Sequence, residues 1–404
     1  MIQAANIAQF LPSESAVLEI DLDAVRANYR IMTGIVGPDV GIAAVVKSDA
    51  YGLGLEPLAR ALYEAGCSAF FVANLDEALR LRAVCPGATI AAFHDEYVRF
   101  GRVYRIEDIL PVINTQEEMD FHFRMAAGDP YLLNVDTGFS RLGLSGPELE
   151  RFSQNGQFLL QPPKVLISHL ACSDHSSNVM NEVQKQRFER ARRSAHPSAS
   201  SLIASAGAWL DKSFHFDMAR IGSALFGLNN ANIHPNPLYP VLRLKARVLA
   251  LREVSAHEAV GYGATFRARR NSRIAIVGIG YAQGLPWACA DKISVRFGSY
   301  LAPLVGRISM EYVTVDVTDI PVDFCAPGNW GEFLHDGFGV DDLAARIGVN
   351  AQEITMRLGL GCLKRYRQDS REDINLFIRK RQPSRSSVPD RYHSTDSHAT
   401  QGGI

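Results

Sequence analysis

The sequence predicts an α/β fold in which a (β/α)8 barrel is followed by a mainly antiparallel β domain. Three observations predict it. From about residue 15 to 230, short apolar β-branched runs alternate with segments of helical periodicity. Eight such runs are present, which is the number of strands that closes this kind of barrel. After an Asn- and Pro-rich stretch at 229–240, apolar and polar residues alternate along strands separated by turns.

The predicted barrel elements follow one another in βα order. Helical periodicity separates the strands, for example in EPLARALYEAG (56–66) and NLDEALRLRAV (74–84). The predicted strands are AAVVK (43–47), AFFVA (69–73), TIAAF (89–93), PVIN (111–114), YLLNV (131–135), KVLISH (164–169), SLIAS (201–205) and FDMARIG (216–222).

A chain of 404 residues is too long for a single hydrophobic core, so two domains are expected. We predict the barrel over 13–236 and the β-rich domain over 237–371. The segment 379–404 is polar, rich in Ser and Pro and poor in aliphatic residues, which predicts a disordered tail.

Composition excludes several classes of protein. The formal net charge is −1, so no basic field favours nucleic acid as a partner. No run of about 18 apolar residues indicates a membrane span, and the first residues lack the pattern of a signal peptide. The 6 cysteines are scattered singly, without the spacing of a metal site or a disulfide framework, so we expect no metal and a reducing cytoplasm.

One segment, AVVKSDAYGLG (44–54), indicates chemistry. A buried strand ends on Lys47, and the C-terminal end of a barrel strand faces the mouth where such barrels place their active sites. Burial would lower the pKa of this lysine and make its amine nucleophilic towards an aldehyde, with which it would form a Schiff base. A lone lysine is otherwise most often exposed.

AVVKSDAYGLG resembles the pyridoxal-phosphate motif of the alanine racemase family, and the family's other segments follow in order. They are NVDTGFSRLG (134–143), SHLACSD (168–174), FDMARIGSALFGLN (216–229), VGYGATF (260–266), GIGYAQGLP (278–286) and GRISMEYVTVDVTD (306–319). The resemblance implies pyridoxal 5'-phosphate as cofactor, an amino acid as substrate, and a homodimer whose active sites each use both subunits.

The resemblance assigns two bases. Lys47 matches the lysine that carries the cofactor and acts on one face of the substrate, and Tyr262 matches the base that the partner subunit presents to the other. Two are needed because racemisation removes a proton from one face and returns one to the opposite face. Arg141 matches the arginine near the phenol and the substrate carboxylate. Met310 matches the partner residue whose backbone meets that carboxylate.

The remaining matches concern the cofactor. Arg220 corresponds to the arginine that faces the pyridine nitrogen and stays protonated, which disfavours transamination and separates this site from related decarboxylases. His169 corresponds to the residue that stacks on the ring and supports Arg220. The expected phosphate ligands are Tyr51, Ser205 at the end of the seventh strand, and Gly222 and Ser223 after the eighth.

The chain departs from the family pattern at several positions. Asn134 stands where many members have a lysine, often carbamylated, so either Asn134 alone orients Arg141 or a small anion fills the gap. Glu311 replaces an Asp, and Gln283 replaces the Asp of GYADG. Gln352 replaces the tyrosine that lines the narrow entrance.

These observations predict an alanine racemase that interconverts L- and D-alanine, serving either cell-wall synthesis or alanine catabolism. A wider entrance at Gln352 and Glu311 would favour a racemase of broader or shifted specificity, with serine first. A non-catalytic pyridoxal-phosphate-binding protein is the third hypothesis. Such proteins share the barrel but lack the second domain, so Tyr262 and Met310 argue against it.

Overall fold

The computed structural model describes residues 15–94 and 97–368. The predicted tail at 379–404, and the outer ends of the two predicted domains at 13–14 and 369–371, lie outside these residues. The domain limits therefore remain predictions. No helix within the described part of the chain is long and apolar enough to cross a membrane.

The described strands and helices alternate through the first half of the chain and become strand-rich in the second. The strands are β1 (Ala16–Asp21), β2 (Gly41–Val45), β3 (Ala69–Val72), β4 (Thr89–Ala92), β5 (Ile109–Ile113), β6 (Leu132–Asn134), β7 (Val165–Ile167), β8 (Ala199–Ser201), β9 (Met218–Ile221), β10 (Leu242–Val254), β11 (Ala259–Val260), β12 (Phe266–Arg267), β13 (Ser272–Val277), β14 (Ser294–Phe297), β15 (Tyr300–Pro303), β16 (Val313–Asp316), β17 (Trp330–Leu334) and β18 (Leu363–Arg367). The helices are α1 (Leu22–Val36), α2 (Lys47–Tyr51), α3 (Leu55–Glu64), α4 (Leu75–Val84), α5 (Tyr97–Ile106), α6 (Gln116–Met125), α7 (Gly146–Ser153), α8 (Gly156–Leu160), α9 (Val179–Ala195), α10 (Val322–Cys325), α11 (Val340–Ile347) and α12 (Ala351–Gly361).

The first sheet is the predicted barrel. Its eight strands run in the order β8-β7-β6-β5-β4-β3-β2-β9, and every pairing between neighbours is parallel. A parallel bridge between Ala204 and Arg220 joins the two ends. The (β/α)8 prediction is therefore confirmed, and the carboxyl ends of all eight strands meet at one face.

Alternation along the barrel strands divides the core into two layers. Ala43, Val45 and Phe71 pack inside the barrel with other short or branched side chains. Their chain neighbours Ala44 and Phe70 point the other way and pack in the larger core that includes the helices. Successive side chains of a strand face opposite sides, so each strand is buried on both faces, as the continuous apolar runs predict.

The second sheet is mostly antiparallel, as predicted, in the order β15-β14-β17-β10-β1-β18, with β13 and β16 attached through β10. Strand β1 joins this sheet, pairing antiparallel with β10 and parallel with β18. Strand β10 pairs with β1 and β17 up to Arg247 and with β13 from Val248 onward, with a bulge between Val248 and Ala250. The chain thus enters the second sheet before it builds the barrel.

The predicted seventh barrel strand is displaced. The prediction places it at 201–205, whereas the structure places β8 at Ala199–Ser201. Leu202 and Ile203 are fully buried beyond the strand end, so their apolar character reflects burial rather than sheet pairing. Ser205 consequently lies at the start of a 3₁₀ turn, Ala206–Trp209, and does not end the strand.

Candidate active site

A cavity of about 650 Å³ opens at the carboxyl ends of the barrel strands. Its lining includes most of the predicted site residues: Lys47, Tyr51, Arg141, His169, Ser205, Arg220, Gly222 and Ser223. The remaining two, Tyr262 and Met310, are not among the residues that line it. Their exposed fractions are 69% and 56%.

Lys47 lies two residues beyond the end of β2, at the start of α2, rather than ending the strand as predicted, and it lines the cavity. Burial lowers the pKa of Lys47, and the positive charges of Arg141 and Arg220 lower it further, whereas the negative charge of Glu77 opposes them. The Nζ atom lies 5.6 Å from the centre of the Phe93 ring. A larger share of this amine is therefore unprotonated at neutral pH than of an exposed lysine.

One end of the cavity is lined by the hydroxyl groups of Tyr51, Ser205 and Ser223, which can donate to an anion. The Ser205 hydroxyl oxygen accepts bonds from the backbone N–H groups of Gly222 (3.0 Å) and Ala224 (3.3 Å). Gly222 leaves the room that the Tyr51 hydroxyl occupies, because a Cβ at Gly222 would overlap that oxygen. Burial raises the pKa of Tyr51 to about 12, so its phenol stays a donor.

The cavity lining includes a buried guanidinium. Arg220 Nη1 donates to the Ser201 carbonyl (2.7 Å) and hydroxyl (2.6 Å), and Nη2 donates to the Ser168 carbonyl. Burial lowers the pKa of Arg220 to about 10, which leaves it protonated at neutral pH. These acceptors are neutral oxygens, so the positive charge is oriented without being neutralised by them.

His169 lies in the cavity wall beside these cations. Burial lowers the pKa of His169 to about 3, and the charges of Arg220, Arg141 and Lys47 act in the same direction. Its ring is 5.3 Å from that of Phe139. At physiological pH it is a neutral aromatic surface.

The loop that carries Arg141 is held by a single carboxylate. Asp136 Oδ1 accepts bonds from the backbone N–H groups of Gly138, Phe139 and Ser140 at 2.8–3.1 Å. The guanidinium carbon of Arg141 stacks 4.2 Å from the centre of the Phe139 ring. Arg141 is thus positioned over the cavity by the loop and by stacking.

Asn134, at the position of the family lysine, takes part in an amide network. Its Nδ2 donates to Asn114 Oδ1 at 2.9 Å, and Asn114 Nδ2 donates to the carbonyls of Phe93 (2.9 Å) and Val112 (2.8 Å). Both asparagines line the cavity. Sequence reasoning missed Asn114, although a polar residue at the end of an apolar run (PVIN) is a signal that could have found it.

The other three positions that depart from the family pattern, 352, 283 and 311, lie in two different places. Gln352, on α12, lines the cavity. Glu311 is exposed, and its Oε2 accepts a bond of 2.7 Å from Gln283 Nε2. The two substituted positions 283 and 311 therefore contact each other, away from the residues that line the cavity of the same chain.

A parallel barrel with a lysine at its mouth, followed by an antiparallel domain, is the architecture of a family of cofactor-dependent isomerases. Two family models match the chain: the alanine racemase N-terminal domain over residues 20–230 and the alanine racemase C-terminal domain over residues 241–366. Together they cover most of its length. The chain belongs to the alanine racemase family.

Individual relatives agree. Alanine racemase 3 of Mesorhizobium japonicum is 54% identical over 350 residues, which are 87% of this chain and 90% of that protein. The biosynthetic alanine racemase of the same organism is 52% identical over 367 residues, 90% of each chain. The crystal structure of alanine racemase from Bartonella henselae with covalently bound pyridoxal phosphate has a TM-score of 0.81 at 34% identity, covering 87% of this chain and 99% of that one.

Proposed function

We propose that the protein is a pyridoxal-phosphate-dependent alanine racemase that interconverts L- and D-alanine with two bases, Lys47 and the partner subunit's Tyr262. One observation carries the proposal. The amine of Lys47, whose pKa is lowered, shares a cavity at the barrel mouth with anion-binding donors and a buried arginine. The relatives at 54% and 52% identity are named as alanine racemases.

The donor set of the cavity fits pyridoxal phosphate. Tyr51, Ser205, Gly222 and Ser223 would hold the phosphate, because the hydroxyls and the backbone after the eighth barrel strand converge at one end of the cavity and Gly222 leaves room for the Tyr51 hydroxyl. Arg220 would donate to the pyridine nitrogen, Lys47 would bind the aldehyde carbon, and His169 would lie against the ring. When bound, the cofactor accepts the electron pair that the α-carbon retains as its proton leaves.

The chain's own residues would move the proton. Lys47 can take or return the α-proton on one face because burial and two neighbouring cations favour its neutral amine. The partner subunit's Tyr262 would serve the opposite face. This role requires a homodimer, which is consistent with the high exposure of Tyr262 and Met310 in the single chain.

Substrate orientation would fall to Arg141 and to the backbone of the partner subunit's Met310, both acting on the carboxylate. Arg141 is held for this task by its loop and by the Phe139 ring. A fixed carboxylate places the α-carbon between the two bases, which makes the proton transfers effectively intramolecular.

The test is loss of optical rotation of L-alanine by protein reconstituted with pyridoxal phosphate. Wild type should racemise alanine, and Lys47→Ala should be inactive while keeping its fold. Bound cofactor without turnover would contradict the enzymatic proposal and favour the non-catalytic one.

A shifted specificity is a second candidate, because Gln352 lines the cavity at the position where the family pattern has a tyrosine. The measurement is kcat/KM for alanine and serine side by side, with Gln352→Tyr as the matched variant. One small group in a pocket discriminates by about 1 to 3 kcal/mol, so Gln352→Tyr should raise the preference for alanine by roughly 5- to 150-fold. A wild-type alanine preference above about 1,000-fold would exclude the broader specificity.

We place the protein in the reducing cytoplasm, a location with which its free cysteine thiols are consistent. Whether it supplies D-alanine for the cell wall or takes part in alanine catabolism stays open. A gene deletion that requires added D-alanine for growth would support the first role, and loss of growth on D-alanine would support the second.

A further inference from the structure

The backbone immediately after Lys47 has an unusual conformation. Ser48, Asp49, Ala50 and Tyr51 all have positive φ, between 52° and 60°, and Gly52 follows. Four successive non-glycine residues therefore form a left-handed turn. Each costs about 1–2 kcal/mol relative to right-handed backbone, so the turn must be held by contacts from outside it.

Glu77, on α4, supplies one of those contacts from the neighbouring βα unit. It is nearly buried, and its two carboxylate oxygens bind different loops. Oε1 accepts from the backbone N–H of Asp49 at 2.8 Å, and Oε2 accepts from that of Ala73 at 2.8 Å. One side chain thus joins the turn after β2 to the loop after β3.

The position of Glu77 is itself fixed. Its backbone N–H donates to Asn74 Oδ1 at 3.0 Å, the side-chain cap that begins α4. Ala73 lines the cavity together with Lys47, whereas Glu77 is not among the lining residues. Any influence of Glu77 on the site therefore passes through the backbone of the turn and through its negative charge.

We propose that Glu77 is a positioning residue for the racemase reaction: its carboxylate holds the left-handed turn that aims the Lys47 amine at the cofactor aldehyde. The proposal rests on the proposed function. It predicts that removing one of the two carboxylate bonds impairs the covalent bond between Lys47 and the cofactor more than it impairs binding of the phosphate and ring.

The test compares two ligands of the apoprotein, pyridoxal 5'-phosphate and pyridoxine 5'-phosphate. The Lys47 amine condenses with the aldehyde of the first, and one water is released. The second carries an alcohol in place of the aldehyde, so it reports on the phosphate and ring contacts alone. Borohydride reduction followed by mass spectrometry measures the fraction of chains with cofactor fixed on Lys47.

Glu77→Gln keeps the size of the side chain, but its amide NH₂ group must face one of the two backbone N–H groups. Loss of a hydrogen bond to a charged acceptor predicts at least about a tenfold weaker affinity for pyridoxal phosphate. Affinity for pyridoxine phosphate should fall less, because Tyr51 is the one proposed phosphate ligand within the turn whereas Ser205, Gly222 and Ser223 lie outside it, and the trapped fraction should fall. Glu77→Asp, which is one methylene too short to reach both loops, should show the same contrast if Glu77→Gln fails to fold.

Glu148→Gln is the matched control. Glu148 also accepts hydrogen bonds at the start of a helix, from the Ser145 N–H and hydroxyl groups at 2.7 Å each. Neither Glu148 nor Ser145 lines the cavity. This control should change neither affinity. Equal losses for both ligands in Glu77→Gln, or no loss for either, would overturn the positioning role. Failure of the wild type to form the covalent bond would instead overturn the proposed function.

Discussion

The close approach of Gly222 to Tyr51 gives a sharp prediction for the cofactor site. A Cβ at Gly222 would overlap the Tyr51 hydroxyl oxygen and lie 3.1 Å from the ring carbon that bears it. The φ of Gly222 is −125°, outside the left-handed region that favours glycine, and the predicted effect of Gly222→Ala is the steric one. Tyr51 is partly buried and packs against Phe226, with ring centres 5.1 Å apart.

Overpacking of this kind costs about 1–3 kcal/mol. If the folded apoprotein escapes the cost by moving Tyr51 out of place, the same free energy appears as a cofactor affinity weakened about 5- to 150-fold. Titration of the apoprotein with pyridoxal phosphate measures this loss, and urea unfolding measures any part that appears as lower stability.

A double-mutant cycle separates overlap from other causes. Tyr51→Phe removes the overlapping oxygen and leaves the 3.1 Å contact, so Gly222→Ala should cost much less in that background. Gly34→Ala serves as the control, because nothing lies within 4 Å of a Cβ at that helical position. An equal cost of Gly222→Ala with and without the Tyr51 hydroxyl would refute the reasoning.

Two further predictions concern stability. Burial lowers the pKa of His122 to about 4 and that of His169 to about 3, from 6.5. Below pH 6.5 the unfolded state therefore binds more protons than the folded state. The free energy of unfolding of the apoprotein should be fully present above that pH and should fall by about 1 kcal/mol per histidine between pH 7 and 5.5. In His122→Gln the free energy of unfolding, measured by urea titration at both pH values, should fall less between pH 7 and 5.5 than in the wild type. An equal fall in the two proteins would contradict a lowered pKa of His122. Lys364 Nζ donates to the Gly52 carbonyl (3.0 Å) and to Asp49 Oδ2 (3.2 Å). Lys364→Met should therefore lower the free energy of unfolding by about 1–2 kcal/mol and weaken cofactor binding. The control Arg243→Met, which breaks the exposed ion pair with Asp336, should change the free energy of unfolding by less than about 1 kcal/mol.

Sequence reasoning recovered the barrel because its signals are local. Each buried strand is a short apolar run, and the residues that follow it lie at the end of the barrel where such folds place their active sites. Lys47, Arg220 and Gly222 were predicted from segments that resemble the family, and the structure places all three in the lining of the cavity.

Other features were beyond local patterns. Strand β1 pairs Ala16 with Ala246, and no periodicity within either segment encodes that partner. The left-handed turn at 48–51 contains no glycine, so propensity gives no sign of it, and Glu77 reads as an ordinary first-turn acidic residue of a helix. The bond between the Asp49 N–H and the Glu77 carboxylate joins residues far apart in sequence, so neither the turn nor the contact made by Glu77 can be predicted from a local pattern.

The shared active site is tested most directly by a heterodimer of Lys47→Ala and Tyr262→Phe chains, co-expressed with two different affinity tags and purified on both. Each homodimer of a single variant should be inactive. In the heterodimer one site combines an intact Lys47 with the partner subunit's Tyr262, so about half of the wild-type racemase activity per dimer should return. A heterodimer as inactive as its parents would contradict a site built from two subunits.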